Sequence, residues 1–196
     1  AAAIPVGALF LYLALGQPVV LLASGAHGAP EAASSSGQPG QAEIEAMVGK
    51  LAARLESEPD NAQGWMMLGR SYAVLRRYPE AVRAYEQALK LMPQDASLMA
   101  DFADTLATAA GGKLAGRPME LVRAALAVDP RQWKALALAG TDSFIRERYD
   151  EAVGFWEKAR DAAPPESDVG KSLEGSIAEA RRLAAGQGQK AGNGAA

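Results

Sequence analysis

The feature that most constrains this chain is a spaced frame of aromatic and very small residues. Trp65, Leu68 and Tyr72 stand three or four residues apart with Gly69 beside Leu68, and Ala81, Tyr85 and Ala88 follow at the same spacing before Pro93. That spacing puts each group on one face of a helix. The frame returns at Leu136, Gly140, Ala152, Trp156, Ala159 and Pro164, and Pro59 stands 34 residues before Pro93. A two-helix unit of this size cannot bury its apolar face alone, so neighbouring units must stack on one another.

The order W-x2-L-G-x2-Y…A-x3-F…P is that of a tetratricopeptide repeat (TPR), with Tyr85 in the Phe slot. Its small residues explain the Ala- and Gly-rich composition, because helices approach closest where side chains are small. The expected fold is all-α: a TPR superhelix of about three repeats with a single flanking helix at each end, preceded by an apolar membrane segment.

The first full repeat spans Ala62 to Asp95, with Asp60 or Asn61 placed to cap its first helix. Pro79 is tolerated in the first turn of its second helix. The middle repeat is degenerate. Phe102 and Leu106 take inward slots, Met99 replaces Trp, and Ala103 replaces Gly. Pro118, Val122 and Ala125 align backwards from Pro130 only with three residues inserted, and the insertion falls in the loop from Ala110 to Arg117. The third repeat runs from Trp133 to Glu166. Ile44, Met47, Val48, Leu51 and Leu55 form an amphipathic helix that covers the first repeat. Leu173, Ile177, Ala180 and Leu183 form the closing one.

Residues 1–23 carry no charge, and the segment is just long enough to span or anchor in a membrane, with breaks at Pro5 and Gly16-Gln17-Pro18. Residues 24–40 read as a flexible linker, the TPR domain as 41–185, and 186–196 as a disordered tail. His27, the single histidine, lies in the linker and reads as an ordinary solvated residue.

Several chemistries are excluded or weak. The chain has no Cys, which rules out thiolate chemistry and Cys-ligated metal within it. A formal charge of −3 argues against nucleic-acid binding. Gly111, Gly112 and Gly116 lack the Lys-Ser/Thr context of a phosphate loop. With His27 in the linker, no His-centred catalytic set or metal site is available, so no cofactor and no enzyme activity are expected. Asp101 and Asp104 are three apart on one helix face, but electrostatic recognition of a basic peptide fits them better than acid–base catalysis.

In a stack of such units the first helix of each repeat lines the concave side. The residues that alternate with its core positions are the candidate partner-binding set: Gln63, Met66 and Arg70; Ser97, Asp101 and Asp104; and Lys134, Thr141 and Phe144. An amphipathic helix suits such a groove. Met66 and Phe144 are the expected apolar contacts, and the charged residues orient the ligand.

The segments PVGALFLYLALGQP, PMELVRAALAVDP and ALALAGTDSFIRERYDEAVGFWEKARDAAPPES resemble the membrane-anchored TPR proteins of bacterial cytochrome c-type biogenesis. Leu138, Gly140, Tyr149, Ala152 and Trp156 match that group's distinctive repeat, and the resemblance extends from Ile4 to about Ala185. It implies a periplasmic TPR chaperone, attached to the bacterial inner membrane through the N-terminal segment. The implied partners are apocytochrome c, bound by its C-terminal helix, and the haem lyase and thiol-reducing maturation subunits. The alternative is a TPR scaffold subunit of another bacterial envelope complex.

Overall fold

The computed structural model describes residues 40–165 and 167–193, and every described element is a helix or a connection between helices. The order is α1 (Gln41–Ser57), α2 (Ala62–Val74), α3 (Tyr78–Leu91), α4 (Ala96–Ala109), α5 (Arg117–Val128), α6 (Trp133–Ile145), α7 (Tyr149–Ala162) and α8 (Val169–Asn193). Helices α2/α3, α4/α5 and α6/α7 are the three antiparallel pairs, and each pair packs on the next. The stack is an all-α TPR superhelix.

Local chemistry sets the boundaries. Each first helix starts on a side-chain cap. Asn61 accepts from the Gly64 amide at 2.9 Å, Asp95 from Leu98 at 2.8 Å, and Gln132 from Ala135 at 3.1 Å. These bonds satisfy amides that lack an intrahelical partner. Helices α3 and α5 instead open with a proline in the first turn.

The three first helices also end alike. Arg76, Gly111 and Glu147 adopt the left-handed conformation at φ 57°, 67° and 58°. The following amides reach back five residues: Arg77 donates to the Tyr72 carbonyl, Gly112 to Ala107, and Arg148 to Ser143, at 2.8–2.9 Å. This is a Schellman stop, which reverses the chain sharply enough for the second helix to return along the first. In the middle repeat the extra residues follow this stop, and Leu114 among them turns inward and is buried.

The core forms three clusters along the stack. Val48 and Leu55 of α1 pack with Leu68 and Ala84. Tyr85, Leu98, Met99, Phe102, Val122 and Leu138 centre the second. Leu136, Ala152 and Trp156 pack with Leu173, Ile177 and Ala180 of α8 in the third. Helices α1 and α8 thus cover the two outer repeats. Met47, which the apolar spacing groups with the α1 core face, is exposed instead. Helix continues through α8 to Asn193, past the tail boundary drawn at 186 from composition. Its first half is anchored in the core, and further along the Gln187 side chain donates to the Glu147 carbonyl at 3.3 Å.

One expectation is corrected here. Among the described residues, no helix is long and apolar enough to cross a membrane. The longest, α8, carries Lys171, Glu174, Glu179, Arg181 and Arg182. Residues 1–23 and the linker 24–39 lie outside the described part, as do 194–196. In the sequence the 1–23 run is interrupted at Pro5 and again at Gly16-Gln17-Pro18. The fold is therefore a TPR superhelix with no membrane-spanning helix described before it. The membrane anchor, the inner-membrane location and the membrane as a partner have no support from the structure.

Candidate functional site in the row of first helices

Helices α2, α4 and α6 lie side by side and form one face of the superhelix. Each has only thirteen or fourteen residues, and one side of each packs on its return helix. The side chains that point along the row therefore meet across repeats. At its centre is Asp101 on α4, which is buried, with a side chain only 5% exposed. The Arg70 guanidinium of α2 donates to its Oδ2 through Nε at 2.6 Å, and the Lys134 ammonium of α6 donates to Oδ1 at 2.5 Å. Arg70 Nη2 also reaches Ser97 Oγ at 3.5 Å.

One carboxylate thus links three repeats, and a buried carboxylate needs such partners to remain charged. The two cations stay 45% and 35% exposed. Their heads have donors left over for a ligand, because a guanidinium has five N–H groups and an ammonium three.

Asp104 lies one turn further along α4. Its Oδ1 is buried and finds no hydrogen-bond partner among the described residues, and the same holds for Thr108 Oγ1 one turn on. Burial pushes the Asp104 carboxyl up to about 6, with Asp101 adding to the rise and Lys134 opposing it. Asp104, Trp133, Lys134, Ala137 and Leu138 line a shallow recess between α4 and α6. The Lys134 ammonium stands 5.5 Å from the centre of the Trp133 ring.

The nine residues expected to bind a partner therefore divide. Arg70, Ser97, Asp101, Asp104 and Lys134 come together across the repeats. Gln63 is exposed at one end, where its amide donates to Met92 Sδ at 3.5 Å. Met66 is buried in the second core cluster. The Thr141 hydroxyl is buried and donates to the Ala137 carbonyl at 3.0 Å. Phe144 packs against Tyr149 and Trp156 at ring separations of 5.3 and 5.5 Å. Of the two expected apolar contacts, Met66 is buried and Phe144 is half-buried at the edge of the third cluster, because helix spacing alone does not separate a groove position from one packed on the next helix. Trp133 and Leu138, absent from the expected set, line the recess. Trp133 was legible only as an aromatic beside Lys134 at the start of a helix.

The TPR domain of cytochrome c-type biogenesis protein H matches residues 31–169. The chain belongs to this family. It is 32% identical over 146 residues to the cytochrome c-type biogenesis protein CycH of Pseudomonas aeruginosa, covering 74% of the chain and 36% of that protein. It is 30% identical over 121 residues to the formate-dependent nitrite reductase complex subunit NrfG of Escherichia coli O157:H7, covering 62% of the chain and 61% of that protein. The chain thus spans only part of the length of either relative.

Among solved structures, MamA matches with a TM-score of 0.55 at 15% identity, over 78% of the chain and 93% of MamA. At that identity the likeness shows the TPR fold alone. The chain is a repeat protein of the cytochrome c-type biogenesis family. Among the described residues, no group of three or more His, Asp or Glu could hold a metal ion.

Proposed function

We propose that the row formed by α2, α4 and α6 binds apocytochrome c, through an amphipathic helix at the client's C-terminus, and presents the client to the haem ligation complex. The family carries the pathway. The observation that carries the site is the Arg70–Asp101–Lys134 link, which holds two part-exposed cations in fixed positions across three repeats. Side chains fixed before binding lose less freedom on binding. With no Cys in this chain, thiol reduction in the client belongs to the thiol-reducing subunits, and haem attachment to the haem lyase.

A helix whose apolar face is already packed in a folded client has nothing to offer the groove, so the apoprotein is favoured over the holoprotein. Calorimetry with the whole chain tests this, using apocytochrome c, holocytochrome c and apocytochrome lacking its last helix. The expected result is binding to the first alone. Equal affinity for all three would overturn the reading. The likeness to a nitrite reductase complex subunit supports a second client class, and an apo-form of a nitrite reductase cytochrome belongs in the same series.

A further inference from the structure

We infer that the open groove between α1 and α2 is where the client's C-terminal amphipathic helix seats its apolar face, lying beside α2 as one more first helix in the row. This rests on the client reading above and deepens it, because the groove supplies the apolar surface that Met66, buried in the core, does not.

The groove follows from the repeat register. Ala81, Tyr85 and Ala88 of α3 are buried, with Tyr85 lying over Gly69 in the first helix of its own repeat. The same face of α1, 34 residues earlier, carries Met47, Leu51 and Arg54. Met47 is 49% exposed there and Arg54 is exposed too, since no first helix among the described residues packs on that face. Helix α2 shows the same from its own side. Asp101 of α4 is buried against the preceding first helix, bonded to Arg70 of α2. Its counterpart 34 residues earlier is Met67, which is 60% exposed, and Val74, two turns along the same side of α2, is 63% exposed. Two helices thus turn apolar side chains toward one place, the position that a preceding first helix would fill.

Three occupants can be compared. The residues just before α1 are unsuited by sequence: the positions of Trp65, Leu68, Gly69 and Tyr72 fall on Glu31, Ser34, Ser35 and Gln38, which have no apolar side chain to bury. A second copy has no suitable helix at its other end, because α8 turns Leu173, Ile177 and Ala180 into its own core and shows Lys171, Glu174, Arg181 and Arg182 outside. An amphipathic helix of an unfolded client brings an apolar face that nothing else covers. Two methionines suit that role, since their unbranched side chains adapt to helices of differing sequence.

Charge and the state of the two ends agree with this. Arg54, at the register of Ala88, is the one charged side chain among the five that define the groove, and its contact with Glu58 is loose at 3.8 Å. An acidic residue on the incoming helix therefore finds a cation there. A repeat stack needs a polar outer face at each end. Helix α8 provides one, whereas Met47, Met67 and Val74 leave the α1 end apolar. A helix added beside α2 stands to it as α2 stands to α4, so the bound state repeats a packing that the fold already makes.

The test uses the whole chain labelled at its methionine methyl groups and followed by NMR. Met47 and Met67 report the groove, and the buried Met99 is the control. Apocytochrome c is expected to move both reporters, and apocytochrome lacking its last helix to leave them in place. M67E and V74E should each weaken client binding about tenfold or more, with melting curves unchanged because both side chains are exposed in the free chain. Client binding with both reporters unmoved, or with full affinity in M67E and V74E, overturns the groove and leaves the client reading standing. A synthetic amphipathic helical peptide of unrelated sequence is the second arm. If it moves the reporters and apocytochrome c does not, the groove stands as a helix site and the client reading falls. Reporters that shift on dilution of the free chain would put a second copy in the groove. Reporters shielded in the free chain from a dissolved paramagnetic agent would put residues 1–23 there, and either result overturns the proposal.

Discussion

Trp156 lies so close over Gly140 that a Cβ at position 140 would stand 2.5 Å from its indole ring. The same closeness holds in the first repeat, where a Cβ on Gly69 would meet the Tyr85 ring at 2.9 Å. Here the glycine serves packing, since its helix backbone is ordinary. It brings the second helix against the first, with the ring filling the missing side chain's place.

Alanine at 140 should therefore destabilise the fold despite its better helix propensity. Trp156 is 2% exposed and its Nε1 donates to the Ala137 carbonyl at 3.1 Å, so it has no free direction in which to move. Overpacking of this kind costs about 1–3 kcal/mol, against a propensity gain of about 1. Urea unfolding of G140A should show a net loss. G154A is the control, because a Cβ there meets nothing within 4 Å and only the gain remains. Equal midpoints for the two variants would contradict the packing account.

The Asp101 link predicts non-additive mutations. Removing Arg70 alone, or Lys134 alone, leaves the buried carboxylate one cation, so R70A and K134A should each cost about 1 kcal/mol. The double variant strands the charge and should cost about 3–5 kcal/mol, more than the sum. A double-mutant cycle measured by chemical unfolding decides it. Strict additivity would mean that the two cations act independently of Asp101.

Much of this architecture was legible in the sequence, for a physical reason. Frame positions such as Leu68, Tyr85, Ala88, Gly140 and Trp156 do the same packing job in each unit, so repetition reveals them. The Arg70–Asp101–Lys134 link was visible only as three charged residues at candidate positions. Their pairing depends on how far each first helix is offset from the next, which no spacing within one repeat encodes. Met66 is buried in the cluster that spans the first two repeats, a placement that also depends on that offset. Leu114 lies in the inserted loop, where there is no period to read.

The helix stops offer a stabilising change. Arg76 and Glu147 hold the left-handed conformation that Gly111 adopts in the middle repeat. A side chain there crowds the backbone, at about 1 kcal/mol or more relative to glycine. Both are exposed. R76G and E147G should each raise the urea midpoint, by up to about 1 kcal/mol after the greater freedom of glycine in the unfolded chain is counted. A fall in stability for both would show that these side chains hold the turns in some other way.

Asp104 makes the stability of the whole domain depend on pH in an unusual direction. Its folded midpoint, about 6, lies above the ordinary value of 3.8, so between the two the folded chain binds the proton that the unfolded chain has released. Acidification through that window therefore stabilises the fold at this position, and ionisation above about 6 destabilises it. The full shift corresponds to about 3 kcal/mol, and part exposure to water reduces this to about 1–2. Carboxylates in general titrate near this range, so the measurement must be a difference. Urea unfolding of the native chain and D104N across this range isolates the contribution. D104N should be the more stable protein above pH of about 6, and the gap should close as the pH falls towards about 4. A difference that stays constant over that range would mean Asp104 titrates as an ordinary surface carboxylate, and its orphaned oxygen would then be solvated.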